Sequence, residues 1–335
     1  MEQMSLRAAI VVTLVSVLAA IAPAQKNKRK TEEPVTQTLP LLKDPPSAVA
    51  AETDKLVFQV SPLSNKGLLS QQVRDALRAL LRDNHGATIV KLRAFVAGSG
   101  DMRRVSTIVS ETFTDHKLAL PAVSTVEVGA LPMEGAQVVM ESIAVEKKTV
   151  NPSGLGFYSA QPVAQLRPLT GGLRATCFLN SLDDLATMRS KVAAAFPGAV
   201  MNFVQSQRLG FEAADVCESV TRLDTPPVGL VVVEKGAALV NAPRIVLTGT
   251  QMAFRDTDAD LRLAFERLAR ELQSFRVTNK DVFWVSAYPL TRPLEGKVRT
   301  MQQEFFGHAA GTTLLFEGLP SLDATMALDV IAAGK

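Results

Sequence analysis

Apolar and polar positions along this chain fall into blocks that repeat. Val282-Phe283-Trp284-Val285 reads as a buried strand. A turn follows, then a helix ending at Phe305-Phe306, a short strand, the turn Gly318-Leu319-Pro320, and an apolar closing strand over residues 326–333. The same order occurs twice upstream. Its first copy runs Leu92-Arg93-Ala94-Phe95-Val96, a Gly-Ser-Gly-Asp turn, a helix to Phe113, a strand over 121–128, Leu131-Pro132, and a closing strand holding Glu141-Ser142-Ile143-Ala144. The middle copy runs from Leu173 to Leu179, a helix to Phe196, Asn202-Phe203-Val204-Gln205, Arg208-Leu209, and Val216-Cys217-Glu218-Ser219-Val220. Three strand–helix–strand–strand units in one order are an internal repeat.

Each unit has an opening half as well. In the first, Leu56 to Val60 reads as a strand, and Val73, Ala76, Leu77, Leu80 and Leu81 give the next helix one buried face. Asn84-His85-Gly86 supplies its stop. The second helix, from Asp101, buries Met102, Val105, Val109 and Phe113. In the middle unit Leu155 to Ser159 opens, but Pro162, Pro168 and Gly171-Gly172 crowd the place of the first helix. Its second helix turns Leu185, Met188, Val192 and Phe196 inward. The third unit begins at Gly229-Leu230-Val231-Val232-Val233, and its first helix spaces Leu261, Ala264, Phe265, Leu268 and Leu272 regularly.

A length of 335 residues fits two or three domains of ordinary size. The hydrophobic fraction of 47% and charged fraction of 21% are those of globular protein. A net charge of +3 is too small to imply a nucleic-acid partner. Residues 1–24 read as a secretory signal peptide: Arg7, an apolar run over 8–22, then Ala22-Pro23-Ala24 as a cleavage pattern. The chain is then exported, to a periplasmic or extracellular space. The alternative is a membrane anchor over residues 8–24, favoured by the basic cluster Lys26, Lys28, Arg29 and Lys30 just behind it. Residues 25–54, rich in Pro, Thr and Glu, are expected to be a disordered tether.

Three motifs carry a resemblance. Pro121-Ala122-Val123-Ser124-Thr125-Val126-Glu127-Val128 is followed by Leu131-Pro132. Gly156-Phe157-Tyr158-Ser159 is similar to a Gly-Pro-Tyr-Ser opening, and Thr248-Gly249-Thr250-Gln251 to a Ser-Gly-Gln segment. In these the chain resembles, over residues 55–335, the RidA/YjgF family of reactive-intermediate imine deaminases, also called endoribonuclease L-PSP. The resemblance implies an α+β fold of three tandem domains similar to Bacillus chorismate mutase, at 55–150, 151–227 and 228–335. Family members are homotrimers with clefts between subunits, so three copies in one chain imply a monomer with internal pseudo-threefold symmetry. Fusion holds such sheets together at high effective concentration.

The family chemistry is another matter. Its members clamp a carboxylate with the arginine of Pro-Ala-Arg-Ser. The matching positions here are Val123, Met201 and Gly311, none of which binds a carboxylate. Its water-orienting glutamate matches Val139, Val216 and Ala327, while a later acidic residue is kept as Glu141, Glu218 and Asp329, in a structural role. The clefts that the resemblance implies place Tyr158, Ser124, Asn202, Gln251 and Thr312 as candidate ligand-binding residues. It also makes the strands of Cys177 and Cys217 antiparallel neighbours, so the two form a disulfide or stay as buried free thiols.

No other constellation competes. Asp256, Asp258 and Asp260 lack the glycine and glutamate of a calcium loop, where Leu261 and Arg267 stand, and read as helix-capping acids. His85, His116 and His308 lie in separate turns without metal-ligand spacing. There is no P-loop and no Gly-x-Ser-x-Gly, so no cofactor, metal or catalytic residue is expected. Trp284 reads as core. Two functions remain: an exported pseudo-trimer that binds a small molecule or serves structurally without imine deaminase activity, or an enzyme on small imines or related metabolites with a rebuilt inter-domain cleft.

Overall fold

The computed structural model describes residues 41–207, 214–233 and 236–334. The leader, residues 25–40 of the tether and Arg208-Leu209 lie outside them. A short strand, β1 (Ala48–Glu52), opens the described chain. The first unit follows as β2 (Leu56–Val60), α1 (Leu69–Asp83), β3 (Thr88–Ala97), α2 (Arg103–Asp115), β4 (Ala122–Val128) and β5 (Val138–Val145). The second is β6 (Leu155–Pro162), β7 (Gly172–Leu179), α3 (Leu185–Ala195), β8 (Val200–Gln205) and β9 (Val216–Arg222). A hairpin of β10 (Leu230–Val233) and β11 (Ala237–Val240) comes next. The third unit is β12 (Arg244–Thr248), β13 (Gln251–Ala253), α4 (Asp258–Ser274), β14 (Val282–Pro289), α5 (Arg292–Phe306), β15 (Ala310–Thr313) and β16 (Met326–Gly334).

Among the described residues the strands form three sheets of one topology. Their shared orders are β2-β5-β3-β4, β6-β9-β7-β8 and β12-β16-β14-β15. In each, the closing strand lies between the first and second and runs antiparallel to both. The second and third strands pair in parallel across a helical crossover.

Two boundaries differ from the sequence reading. The tether does not extend to residue 54, because β1 pairs with β12 along its whole length. Its small side chains Ala48 and Ala51 are buried there, so the start of the described chain is locked into the sheet that holds its end. Nor does the third unit begin at 228. β11 pairs with β6, which buries Ala238 and Val240 beside Phe157 and Leu155, so the β10–β11 hairpin extends the second sheet.

One face of each sheet meets helices. α1 and α2 turn Val73, Leu77, Leu80, Val105, Ile108 and Phe113 onto Leu92, Ala94, Met140 and Ala144. α4 and α5 cover the third sheet likewise, with Phe265 and Leu268 against Val285 and Leu328. Thr257, not one of the aspartates, caps α4; Asp258 and Asp260 stand in its first turn, and Asp260 accepts the amides of Phe254 and Arg255 ahead of the helix. In the second unit only α3 forms. One turn of 3-10 helix, Val163–Gln165, stands where proline forbids the other.

The opposite faces of the three sheets share two apolar layers. One gathers Phe58, Ile143, Phe157, Val220, Leu247, Trp284 and Ile331. The other gathers Phe95, Val139, Phe178, Val204, Tyr288 and Phe316. Trp284 lies 5.9 Å from Phe157, as core packing requires. Each large side chain buried this way contributes about 1.5–3 kcal/mol. At the seams the third strand of one unit reaches a neighbouring unit. The Thr250 amide donates to the Val123 carbonyl at 3.3 Å, and the Ala160 amide to Thr312 Oγ1 at 3.1 Å. At the remaining seam Gln205, ending β8, exchanges backbone hydrogen bonds with Gly129 and Ala130.

On the helix side of the second sheet, Cys177 and Cys217 are direct partners across β7 and β9 and form a disulfide. The sequence separation of 40 residues makes it worth about 4 kcal/mol in the chain-entropy picture. Protein unfolded without reductant should therefore resist alkylation at both residues in mass spectrometry, and reductant should lower the denaturation midpoint. Two thiols that alkylate freely would contradict the bond.

Candidate functional site

Side chains alternate across a strand, so every second residue of the central strands points away from the helices. On β3 these are Lys91, Arg93 and Phe95; on β7, Arg174, Thr176 and Phe178; on β14, Trp284, Ser286 and Tyr288. Strand register makes the three sets equivalent: Arg93 stands opposite Glu141, Thr176 opposite Glu218, and Ser286 opposite Asp329. Each closing strand thus delivers one carboxylate to a polar layer between the two apolar ones.

Three cations meet these three carboxylates. Arg93 Nε donates to Glu141 Oε2 at 2.9 Å, and its NH2 reaches both Glu141 and Glu218. Arg174 NH1 lies 3.3 Å from Glu141 Oε2. Thr176 Oγ1 and Asn202 Nδ2 donate to Glu141 Oε1 at 2.6 and 2.8 Å. Lys91 Nζ donates to Ser124 Oγ at 2.6 Å and to the Thr248 carbonyl. Ser124 and Tyr288 in turn donate to Asp329 Oδ2 at 2.6 and 3.0 Å. Arg93 also stacks over Phe95, 4.9 Å from the ring centroid.

Burial sets the electrostatics of this layer. Desolvation pushes the Glu141 carboxyl up, but Arg93, Arg174 and the Thr176 and Asn202 hydrogen bonds outweigh it and hold the group down at about 2. Desolvation lowers the Lys91 ammonium, with Arg93 and Arg174 adding to the effect and Asp329 opposing it. Desolvation also works against the Arg93 charge, yet Glu141 and Glu218 raise the group well above its ordinary value. The Tyr288 hydroxyl is raised well above the usual tyrosine range by burial and by Asp329. Perturbed groups often mark active sites, but ion networks perturb them too. The cavity at this layer, lined by Lys91, Arg93, Glu141, Arg174, Ser286 and Asp329, measures about 30 Å³, room for water and not for a metabolite.

The positions that the resemblance aligns with the family arginine lie elsewhere. Register aligns them: Val123 pairs with Leu92, Met201 with Ala175, Gly311 with Val285. Val123 is buried in the first helical core and Met201 packs on the second. Gly311 opens on a groove of about 240 Å³ bordered by Arg299, Gln302, Gln303 and Thr313. A β-carbon at Gly311 would run into the Val285 carbonyl, so no arginine fits there without moving the backbone. Ser159 Oγ accepts the Gly311 amide at 3.3 Å, and beyond it Tyr158 lines a second cavity of about 150 Å³ with Gln161, Leu166, Arg167 and Phe196. That cavity occupies the place of the missing helix.

The ligand candidates therefore separate. Tyr158 and Thr312 sit at this seam between second and third units. Ser124 and Asn202 belong to the buried polar layer, and Gln251 lies on β13 opposite Leu328. Val139 and Ala327 are buried in the second apolar layer, with Val216 half-buried against it. Lys91, Arg93 and Arg174 were not foreseen. Their signal was a cation on the inward phase of an otherwise apolar strand.

Glu141 makes the fold acid-sensitive in a defined window. Its folded value near 2 lies below the ordinary 4.5, so its contribution is complete above pH 4.5 and lost as pH falls toward 2. The loss should be about 3 kcal/mol. Denaturant titrations between pH 6 and pH 2.5 should show it, and Glu141→Gln should flatten it. An unchanged pH profile in that variant would contradict the assignment.

Residues 47–146 match the family model described as endoribonuclease L-PSP. Among solved structures, a chorismatase is similar over 86% of this chain and 77% of its own, at 11% identity and a TM-score of 0.44. A YjgF-family protein from Mycobacterium tuberculosis is 17% identical, covering 28% of this chain and 82% of its own, with a TM-score of 0.26. A putative endoribonuclease from Thermotoga maritima is 17% identical over 33% of this chain and 89% of its own, also at 0.26. No match is found among curated proteins. Over residues 47–146 the chain is similar to the RidA/YjgF proteins, the endoribonuclease L-PSP family.

Proposed function

We propose that this chain is an exported, internally pseudo-trimeric RidA-like protein that binds a small molecule and does not deaminate imines. The observation that carries this reading is the strand register at Val123, Met201 and Gly311. Those three equivalent positions hold two apolar side chains and a glycine that tolerates no β-carbon. A charge-assisted carboxylate clamp acts most strongly in the transition state, so its loss removes several orders of magnitude in rate. Three sheets of one order, sharing two apolar layers and joined by hydrogen bonds at each seam, support the pseudo-trimer. The Cys177–Cys217 bond suits an oxidising compartment, which supports export.

The seam between the second and third units is the ligand site that this reading favours, since groove and cavity meet there across Ser159 and Gly311. A second reading keeps an enzyme, in which Arg299 at the rim of the groove replaces the missing cation. Its guanidinium is engaged by Glu295 at 2.7 Å, which weakens it as a carboxylate clamp.

Two measurements test the proposal. Imines generated in situ by an amino-acid oxidase should disappear no faster with the chain than without it, for 2-iminopropionate and 2-iminobutyrate alike. Turnover that falls with Arg299→Ala would instead favour the rebuilt cleft. Light scattering of the segment from Leu42 onward should give a monomer; a stable trimer would defeat the pseudo-trimer.

A further inference from the structure

The helical layer of the first unit is left open at one end. α1 ends at its cap residue Asn84 and α2 at His116. Each chain then leaves through a non-glycine residue in the left-handed region, His85 at φ 48° and Lys117 at φ 56°. Arg276 leaves α4 in the same way at φ 59°, so this is the common left-handed exit from a helix end. The two turns leave a pocket of about 420 Å³ between the helix ends and the start of β3, within the size range of small-molecule sites.

The pocket has an apolar floor and a cationic rim. Phe113, Ile89, Leu81 and Leu118 form the floor, and Leu118 is 44% exposed. Arg78 and Arg82 stand on the rim, and no acidic side chain lines the space. Asp75 and Asp83 pair with these arginines from outside the lining. Arg82 gives Nε and NH2 to Asp83 and Arg78 gives NH2 to Asp75; these pairs are solvent-exposed, unlike a buried clamp, so a bound carboxylate competes with them and also meets the remaining NH1 donors. The third unit treats its own helix ends differently. There Phe305 and Phe306 stack on Phe265 at 5.3 and 5.8 Å, and Phe275 packs on the same core. In the first unit the small residues Ala87 and Ala119 line the pocket.

From this complementarity we infer that the pocket binds a single-chain amphipathic carboxylate. The alkyl chain covers Phe113, Ile89 and Leu118, and the carboxylate meets the Arg78 and Arg82 guanidinium groups. An aliphatic chain gains by leaving water against such a floor, and the arginine forks match a carboxylate in geometry. The inference is independent of the seam between the second and third units.

Calorimetry of the full chain with decanoate, kept below its micellar concentration, tests it. One saturable equivalent should bind. Leu118→Asp, and separately the double substitution Arg78→Glu with Arg82→Glu, should each weaken binding at least tenfold. All three positions face solvent, so circular dichroism should show the variants folded. Octylammonium, with the same kind of chain and the opposite charge, should not bind. Absence of saturable decanoate binding, equal binding by the variants, or equal binding of octylammonium would each overturn the inference.

Discussion

A neutral layer of three cations and three carboxylates, buried where three sheets meet, is the constraint on which the rest of this structure depends. Each charge alone would be costly there, because water is gone and the low-dielectric interior does not replace it. The layer is tolerable only because its charges pair at close range and are further hydrogen-bonded by Thr176, Asn202, Ser124 and Tyr288. Arg93 bridges carboxylates from the first and second units, and Lys91 with Ser124 engages the one from the third. The first unit supplies two cations and one carboxylate, the second one of each, the third a carboxylate alone. Neutrality in this layer therefore draws on all three units together.

This layering also explains why the clefts differ. Residues 123, 201 and 311 are neighbours in sequence of 124, 202 and 312, so their side chains lie on the opposite phase of the strand. The inward phase serves the polar layer. The outward phase faces helices, and what it finds there varies. In the first unit it finds a packed core, in the second a short helix, and in the third a groove that the glycine keeps open. Space beside this position thus follows from the residue that stands there and, in the second unit, from the helix that does not form.

Much of this was legible in the sequence. The triplicate order, the buried faces of α1, α2 and α4, and the failure of a helix near Pro162 all followed from periodicity and proline chemistry. The acidic residues Glu141, Glu218 and Asp329 were recognisable because each stands at the same place in the closing strand of its unit. Their cationic partners were not, since Lys91, Arg93 and Arg174 pair across sheets and no local pattern records that. The runs 48–52 and 230–233 read as strands or tether by composition, yet register with β12 and β11 decides which sheet they join. Ser124, Asn202 and Thr312 share one strand phase, and only what faces each of them decides that the first two enter the polar layer while Thr312 meets the Ala160 amide.

The central claim is that Arg93 and Glu218 couple the first unit to the second through a buried charge pair. A double-mutant cycle with Arg93→Met and Glu218→Gln, read by denaturant unfolding at pH 7, measures it directly. Removing one member of a buried pair should cost about 3–5 kcal/mol, because it strands the other. The double variant should then recover part of that loss, giving a coupling energy above about 1.5 kcal/mol. Two single effects that simply add, to within about 0.5 kcal/mol, would contradict the account.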